Sequence, residues 1–96
     1  MAQSTILAAG ITAATSTDIT VAVGAVAKVG IFCADADGSR LPATAEIRLR
    51  EDTPNTDNTV AQFTDEKRSY LITAPGTYRV TRTAYTGTAF GVYLEA

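Results

Sequence analysis

The sequence predicts an all-β fold, a single β-sandwich of about seven or eight short antiparallel strands preceded by an extended N-terminal arm. Three observations support this prediction. Apolar and polar residues alternate in short runs, and turn-forming residues separate the runs about every 8–12 positions. No window shows the helical period of about 3.6 residues. Threonine is abundant, and β-branched residues suit the pleated surface of a sheet.

Length and composition bound the number of domains and the class of partner. The 96 residues allow one domain, which we expect to be a sandwich over residues 15–96 after an arm over residues 1–14. With 46% hydrophobic and 19% charged residues, the chain is too apolar for intrinsic disorder. The net charge of −2 argues against nucleic-acid binding, because neutralising phosphates needs a basic surface.

Residues 1–14 are small, uncharged and only loosely patterned. Two interpretations stay open: a first strand or frayed end, or an extended arm that orders by adding to the sheet edge of a partner. The segment has no basic region and too few large apolar residues for a signal peptide or a transmembrane span. We therefore expect a protein that folds in a cytoplasm and does not bind membranes.

The strand signals strengthen after Ser16. Alternation over residues 17–23 places three side chains on one face: Ile19, Val21 and Val23. Residues 26–33 then form a nearly continuous apolar run, which fits a central strand covered on both sides or a strand beside a subunit contact. The single cysteine, Cys33, lies in this run, so we expect a buried and inert thiol and no internal disulfide.

The middle of the chain contains two turn-rich stretches around one clear strand. Residues 35–38, Asp-Ala-Asp-Gly, predict a turn, and they lack the regular ligands and the twelfth-position glutamate of a calcium loop. Residues 45–50 alternate cleanly, with Ala45, Ile47 and Leu49 on the predicted core face. Residues 51–58 predict a long loop.

The strongest turn signal is Pro75-Gly76, between two β-prone runs in residues 69–83. Proline presets φ for the second position of a type II turn, and glycine accepts the positive φ of the third. The twist of that turn suits a tight hairpin poorly. We therefore expect a corner here, where the chain passes from one sheet to the other.

The remaining strands are predicted on either side of this corner. Residues 59–64 place Ala61 and Phe63 on one face. In the run after the corner one face is shared by Tyr78, Val80 and Arg82. In the last strand, residues 89–95, one face is shared by Phe90, Val92 and Leu94.

The chain lacks the residue types of an active site. It contains no histidine to act as a base, its carboxylate pairs fall in turns, and it has no glycine-rich phosphate loop. We expect a non-enzymatic protein without metal or cofactor. Tyr85 lies in a predicted loop, where it either anchors a protein or sugar contact or caps the core; the sequence leaves both open.

Four stretches carry a resemblance to a known family. They are Val29-Gly30-Ile31-Phe32, the loop of residues 52–58, Ala74-Pro75-Gly76-Thr77-Tyr78-Arg79-Val80, and the C-terminal Gly91-Val92-Tyr93-Leu94-Glu95. Over residues 16–95 the chain resembles small structural proteins of tailed bacteriophages, similar to the decoration or cement proteins on the outside of the capsid.

The resemblance implies a jelly-roll-like sandwich that binds the mature shell and locks neighbouring subunits together. The implied partner is the major capsid protein, the implied assembly is a homo-oligomer with a trimer favoured, and the implied location is the virion exterior after assembly in the host cytoplasm. We predict contacts in three regions. These are the arm (Thr5, Ile6, Leu7, Ile11), the long loop (Asp52, Thr53, Asn55, Asp57) and the loop of Tyr85.

Two other functions remain open on the sequence alone. The chain could be an adhesion or carbohydrate-binding module of a virion spike or fibre, using Tyr85 and nearby loops. It could also be a sandwich domain of a cellular surface protein, against which the missing signal peptide counts.

Overall fold

The structure, a computed structural model, describes residues 3–33, 40–52 and 58–95. These residues form nine strands and no helix, so the all-β prediction is confirmed. The strands are β1 (Gln3–Gly10), β2 (Ala14–Thr15), β3 (Ile19–Val21), β4 (Ala27–Cys33), β5 (Ile47–Glu51), β6 (Asn58–Phe63), β7 (Ser69–Ile72), β8 (Gly76–Arg82) and β9 (Phe90–Glu95).

The strands pair into two antiparallel sheets that share one core, a sandwich-like arrangement. The four-stranded sheet has the order β1-β9-β4-β7. The five-stranded sheet has the order β2-β8-β5-β6, and β3 also pairs with β8. Because β2 and β3 follow one another along β8, they act as one interrupted strand, which explains a count of nine where seven or eight were expected.

The interruption between β2 and β3 is bridged by Ser16. Its backbone N–H donates to the Val80 carbonyl at 2.8 Å, and its hydroxyl accepts from the Val80 N–H at 2.9 Å. In a continuous strand pair a backbone carbonyl would accept from the Val80 N–H. Here the Ser16 hydroxyl accepts instead, so this buried main-chain donor is satisfied.

The core is built from alternate residues of both sheets, as the periodicity predicts. Ala45, Ile47 and Leu49 are buried, and their neighbours in β5 are half-buried. The largest fully buried side chains, which dominate the apolar area, are Phe63, Phe90, Ile19, Ile47, Leu49, Ile72, Val29, Val80 and Val92. Each contributes about 1.5–3 kcal/mol relative to an exposed position.

The predicted corner at Pro75-Gly76 is confirmed, but the predicted turn type is wrong. β7 belongs to the four-stranded sheet and β8 to the five-stranded sheet, so the chain changes sheets here. A type II turn needs φ near about +80° at its third position, whereas Gly76 has φ of 154°. The reason is that Gly76 is already the first residue of β8 and pairs with Val21.

The N-terminal segment is a strand of the sheet. β1 pairs with β9, from Gln3 opposite Glu95 to Gly10 opposite Phe90. The extended-arm interpretation is therefore wrong for residues 3–10, and the first-strand interpretation describes them. The sequence lacked the deciding information, because the pairing partner lies at the other end of the chain.

One core assignment is also corrected. Val23 was expected on the face of Ile19 and Val21, but it is 87% exposed. β3 ends at Val21, and the chain then turns back, with the Ala25 N–H donating to the Ala22 carbonyl at 3.0 Å. The alternation therefore stops two residues before Val23.

Candidate functional site

The predicted contact residues near the N-terminus have unequal access to solvent. Thr5 is exposed and lies opposite Tyr93 on β9. Ile6 and Leu7 pack partly against the core, and Ile11, just after β1, is 41% exposed. Thr5 and Ile11 are thus available for contacts, while Ile6 and Leu7 contribute mainly to the protein's own packing.

Of the predicted loop contacts, Asp52 lies within the described residues and Thr53, Asn55 and Asp57 lie outside them. The Asp52 carboxylate pairs with Arg79 Nη1, which lies 2.8 Å from Oδ1 and 2.9 Å from Oδ2. Its backbone N–H donates to the Thr77 carbonyl at 2.9 Å. Asp52 therefore fixes the end of β5 to β8.

Tyr85 caps the core, which is one of the two interpretations that the sequence left open. The residue is 9% exposed, and its hydroxyl donates to the Thr88 carbonyl at 2.6 Å and accepts from the Phe90 N–H at 3.1 Å. Burial raises the pKa of this phenol above its ordinary value of 10.0. The side chain orders the loop that leads into β9 and offers no exposed ring for stacking.

Arg82 is a buried cation that links the two sheets. It is 5% exposed, on the face of β8 that it shares with Tyr78 and Val80. Nη1 donates to the carbonyls of Ala8 at 3.0 Å and Phe90 at 2.8 Å, and Nε donates to the Thr12 carbonyl at 2.8 Å. Main-chain carbonyls thus satisfy the guanidinium at the edge where β1 meets the five-stranded sheet.

Asp65 organises a second polar cluster, at the turn between β6 and β7. Its Oδ1 lies 2.5 Å from Arg68 Nη2 and accepts from the Leu41 N–H at 3.1 Å. The hydrogen bond from Arg68, helped by that from Leu41, holds the pKa of this carboxyl below 3.8. Because Asp65 ties the turn to residues 40–41, its role is structural.

The outer face of the four-stranded sheet carries two aromatic rings that the sequence did not identify as a unit. Gly30 on β4 lies opposite Tyr93 on β9, and Phe32 lies opposite Gly91. A Cβ on Gly30 would collide with the Tyr93 ring, and a Cβ on Gly91 would lie 2.5 Å from the Phe32 ring. Each ring therefore lies over a glycine of the neighbouring strand.

These rings line a groove of about 390 Å³, completed by Gln3, Ser4 and Thr5 of β1. We call it the aromatic groove. The sequence signal for this groove was weak. It consists of two glycines, each two residues before an aromatic residue (Gly30 and Phe32, Gly91 and Tyr93), and the register that brings them together cannot be predicted from the sequence. Of the predicted contact residues that the structure describes, Thr5 alone lines this groove.

Cys33 is half-buried at the margin of the core, so full burial was an overestimate. It is the last residue of β4 and lies opposite Phe90. Within residues 3–33, 40–52 and 58–95, no group of three or more His, Cys, Asp or Glu side chains could hold a metal ion. The same residues contain no helix long and apolar enough to span a membrane.

Comparison with known proteins gives no relative. No family model matches the chain, and no curated protein or solved structure matches it.

Proposed function

We propose that this chain is a non-enzymatic phage virion structural protein, which binds the outside of the mature capsid and stabilises it. One observation carries the proposal: large apolar side chains are exposed at both ends of the four-stranded sheet. They are Ile11 at 41%, Val23 at 87%, Val26 at 51% and Leu71 at 56% exposure.

The strand register separates these residues into two places. Ile11 follows Gly10, which lies opposite Phe90 at the start of β9. Leu71 lies opposite Lys28, which lies opposite Glu95 at the end of β9. Val26 directly precedes β4 at that same end, with Val23 in the preceding turn. We call Val23, Val26 and Leu71 the apolar patch.

Two separated apolar contacts are what a protein needs to join neighbouring subunits. Exposed apolar side chains gain free energy when a partner covers them, about 1.5–3 kcal/mol for a fully buried valine, leucine or isoleucine. We propose that Ile11 contacts one copy of the major capsid protein and the apolar patch contacts its neighbour. A protein that binds the assembled shell but not free subunits stabilises the shell by mass action.

We also infer that the sandwich is a jelly roll. The support is the pairing of distant segments: β1 with β9, β2 and β3 with β8, β4 with β7, and β5 with β6. A long antiparallel pair of strands, wrapped so that successive pairs alternate between two sheets, gives this strand order. Jelly rolls serve as viral capsid and lectin domains, an analogy at the level of the fold alone.

Many copies on one shell would reinforce one another. If the chain forms a homo-oligomer, with a trimer favoured, each subunit's weak contact becomes intramolecular after the first has formed, and the avidity rises. Light scattering on purified protein measures this oligomeric state. A monomer at all concentrations would remove the trimer from the proposal but not the capsid contact.

The test is co-sedimentation with emptied, expanded phage shells, with copies bound per shell as the readout. The wild type should saturate at a number set by the shell's symmetry. Ile11→Ser and Leu71→Ser should each weaken binding about tenfold, the effect of about 1.4 kcal/mol. Thr59→Ser, at an exposed position of β6 on the edge of the five-stranded sheet, is the control and should bind normally.

Absence of pelleting above a no-shell control would overturn the capsid function and favour an adhesion module. Normal pelleting of the Ile11→Ser and Leu71→Ser double variant would retain a capsid function but reject these contacts.

A further inference from the structure

The aromatic groove combines two chemical features that a ligand must match. The Phe32 and Tyr93 rings lie over Gly91 and Gly30, so each has one side against the sheet backbone. Both residues are half-buried and line the open groove. Glycine is what allows this arrangement, because any larger residue would push the rings off the sheet.

The rest of the lining is polar and uncharged. Gln3 and Thr5 lie opposite Glu95 and Tyr93, on the face of the rings, and contribute one amide and one hydroxyl, while Ser4 lies opposite Leu94. Gln3 Nε2 donates to Glu95 Oε1 at 2.9 Å, so the amide orientation is set and its oxygen is left to accept. The groove therefore offers flat apolar surfaces beside neutral donors and acceptors.

We propose that the aromatic groove binds a neutral hexopyranose ring of a glycan. A pyranose has an apolar C–H face, which packs on an aromatic ring, and a hydroxyl-bearing edge, which needs hydrogen-bond partners. The Tyr93 and Phe32 rings match the first, and the Gln3 amide and the Thr5 hydroxyl match the second. The inference does not rest on capsid binding.

Other ligand classes match the groove less well. The lining carries no cation for a phosphate or an acidic sugar, and the chain's net charge of −2 repels anions. Proline-rich peptides dock into grooves lined by aromatic side chains. In this chain the rings lie over the sheet and do not flank a cleft. This arrangement suits a flat ligand better than a proline-rich peptide.

The site also differs from the one that the sequence suggested for a sugar. Tyr85 is buried and hydrogen-bonded to Thr88 and Phe90. The rings available for stacking belong to two strands, β4 and β9, and the polar partners belong to β1. A rigid sheet therefore holds all the groups, which limits the entropy lost on binding.

The experiment is an NMR titration of the ¹⁵N-labelled chain with two uncharged oligosaccharides, cellohexaose and chitohexaose. Glucose-based and N-acetylglucosamine-based ligands are thereby distinguished. We expect amide shifts at Gly30, Phe32, Gly91 and Tyr93 with at least one oligosaccharide. The amide of Leu49, in the other sheet, should not shift.

Variants test the role of the ring itself. Tyr93→Leu should weaken binding about tenfold or more, the usual effect of truncating a central aromatic contact. Tyr93→Phe keeps the ring and should bind within about threefold of the wild type. Tyr70→Leu, which changes a half-buried tyrosine on β7, is the matched control and should bind normally. Thr5→Val removes one hydroxyl and should weaken binding severalfold. This variant tests the groove even if Tyr93→Leu does not fold.

Three outcomes would overturn the proposal. One is the absence of shifts with either oligosaccharide at millimolar concentration. Another is shifts that persist unchanged in folded Tyr93→Leu and in Thr5→Val. The third is binding of decaproline in the groove when neither oligosaccharide binds.

Discussion

Arg82 Nη1 lies 2.8 Å from the main-chain oxygen of Phe90, so a cation on β8 is hydrogen-bonded to the first residue of β9 in the opposite sheet. Together with the bonds to Ala8 and Thr12, this contact closes one edge of the sandwich. The closure depends on a side chain and not on a strand ladder. It is therefore open to direct test by substitution.

Arg82→Met should lower the free energy of unfolding by about 2–4 kcal/mol, because it leaves the buried Phe90 carbonyl and the part-buried carbonyls of Ala8 and Thr12 without this donor. Arg48→Met is the matched control. Arg48 lies on the outer side of β5, with its side chain 32% exposed near Glu46, and its loss should cost less than about 1 kcal/mol. Urea unfolding measures both. Equal losses would mean that the Arg82 bonds add nothing to stability.

Tyr85→Phe should lower the free energy of unfolding by about 1–2 kcal/mol. The hydroxyl is the acceptor for the buried Phe90 N–H and a donor to Thr88, and phenylalanine keeps the ring but loses both bonds. Tyr70→Phe, at a half-buried ring near Lys67, is the control and should change little. Comparable stabilities of the two variants would contradict the prediction.

Alkaline pH should destabilise the protein through its buried tyrosines. Burial raises the pKa of both Tyr78 and Tyr85 above 10.0. In the unfolded chain these phenols ionise first, so their contribution is complete below pH 10 and is lost as the pH rises beyond it. Unfolding of the Tyr78→Phe and Tyr85→Phe double variant should show a shallower decline above pH 10. A decline as steep as that of the wild type would refute this assignment.

Two glycine substitutions should differ in cost. An added methyl at Gly30 meets the Tyr93 side chain, which can rotate away. A methyl at Gly91 meets the Phe32 ring at 2.5 Å and the Leu7 main-chain oxygen at 2.7 Å, and the backbone cannot move as easily. We expect losses of about 1 kcal/mol for Gly30→Ala and about 2–3 kcal/mol for Gly91→Ala.

Thermal unfolding of both variants checks the order. Tyr93→Ala added to Gly30→Ala should remove the clash, so the two changes should be less than additive. Additive losses of stability, or a greater loss for Gly30→Ala than for Gly91→Ala, would show that the two glycines are not needed to let the rings lie against the sheet.

Acid should reduce stability through Asp65. Its pKa is held below 3.8 in the folded chain by the Arg68 and Leu41 hydrogen bonds, so its contribution is present above pH 3.8 and is lost as the pH falls through the folded value. Asp65→Asn should lower the Tm at pH 7, and the difference from wild type should shrink on acidification. Glu66→Gln, at the exposed neighbouring position, is the control. A difference that does not depend on pH would exclude the ionised carboxylate as the cause.

Short-range patterns predicted the fold well and the site poorly. Alternation identified the core face of residues 45–50 and placed Ala61 and Phe63 together on one face, because strand periodicity is local. It also placed Arg82 on the face of Tyr78 and Val80. Two of the main-chain carbonyls that accept from Arg82 belong to Ala8 and Thr12, which lie 74 and 70 residues away in the sequence. A local pattern cannot predict hydrogen bonds between such distant residues.

The aromatic groove was missed for a related reason. Phe32 and Gly91 become neighbours only when β4 and β9 pair in one particular register. A shift of one residue would put each ring beside a different partner and on the other face. Register between distant strands is set by the whole core, so the site emerges only with the tertiary structure.

The position of β1 beside β9 has a consequence for the order of folding. β9 lies between β1 and β4, so β1 has no partner in its sheet until β9 has also been synthesised. Closing a loop this long is slow, and β1 remains an unpaired edge in the meantime. Synthesis must therefore pass residue 95 before the four-stranded sheet can be completed, and residues 3–10 expose an unpaired strand edge until then.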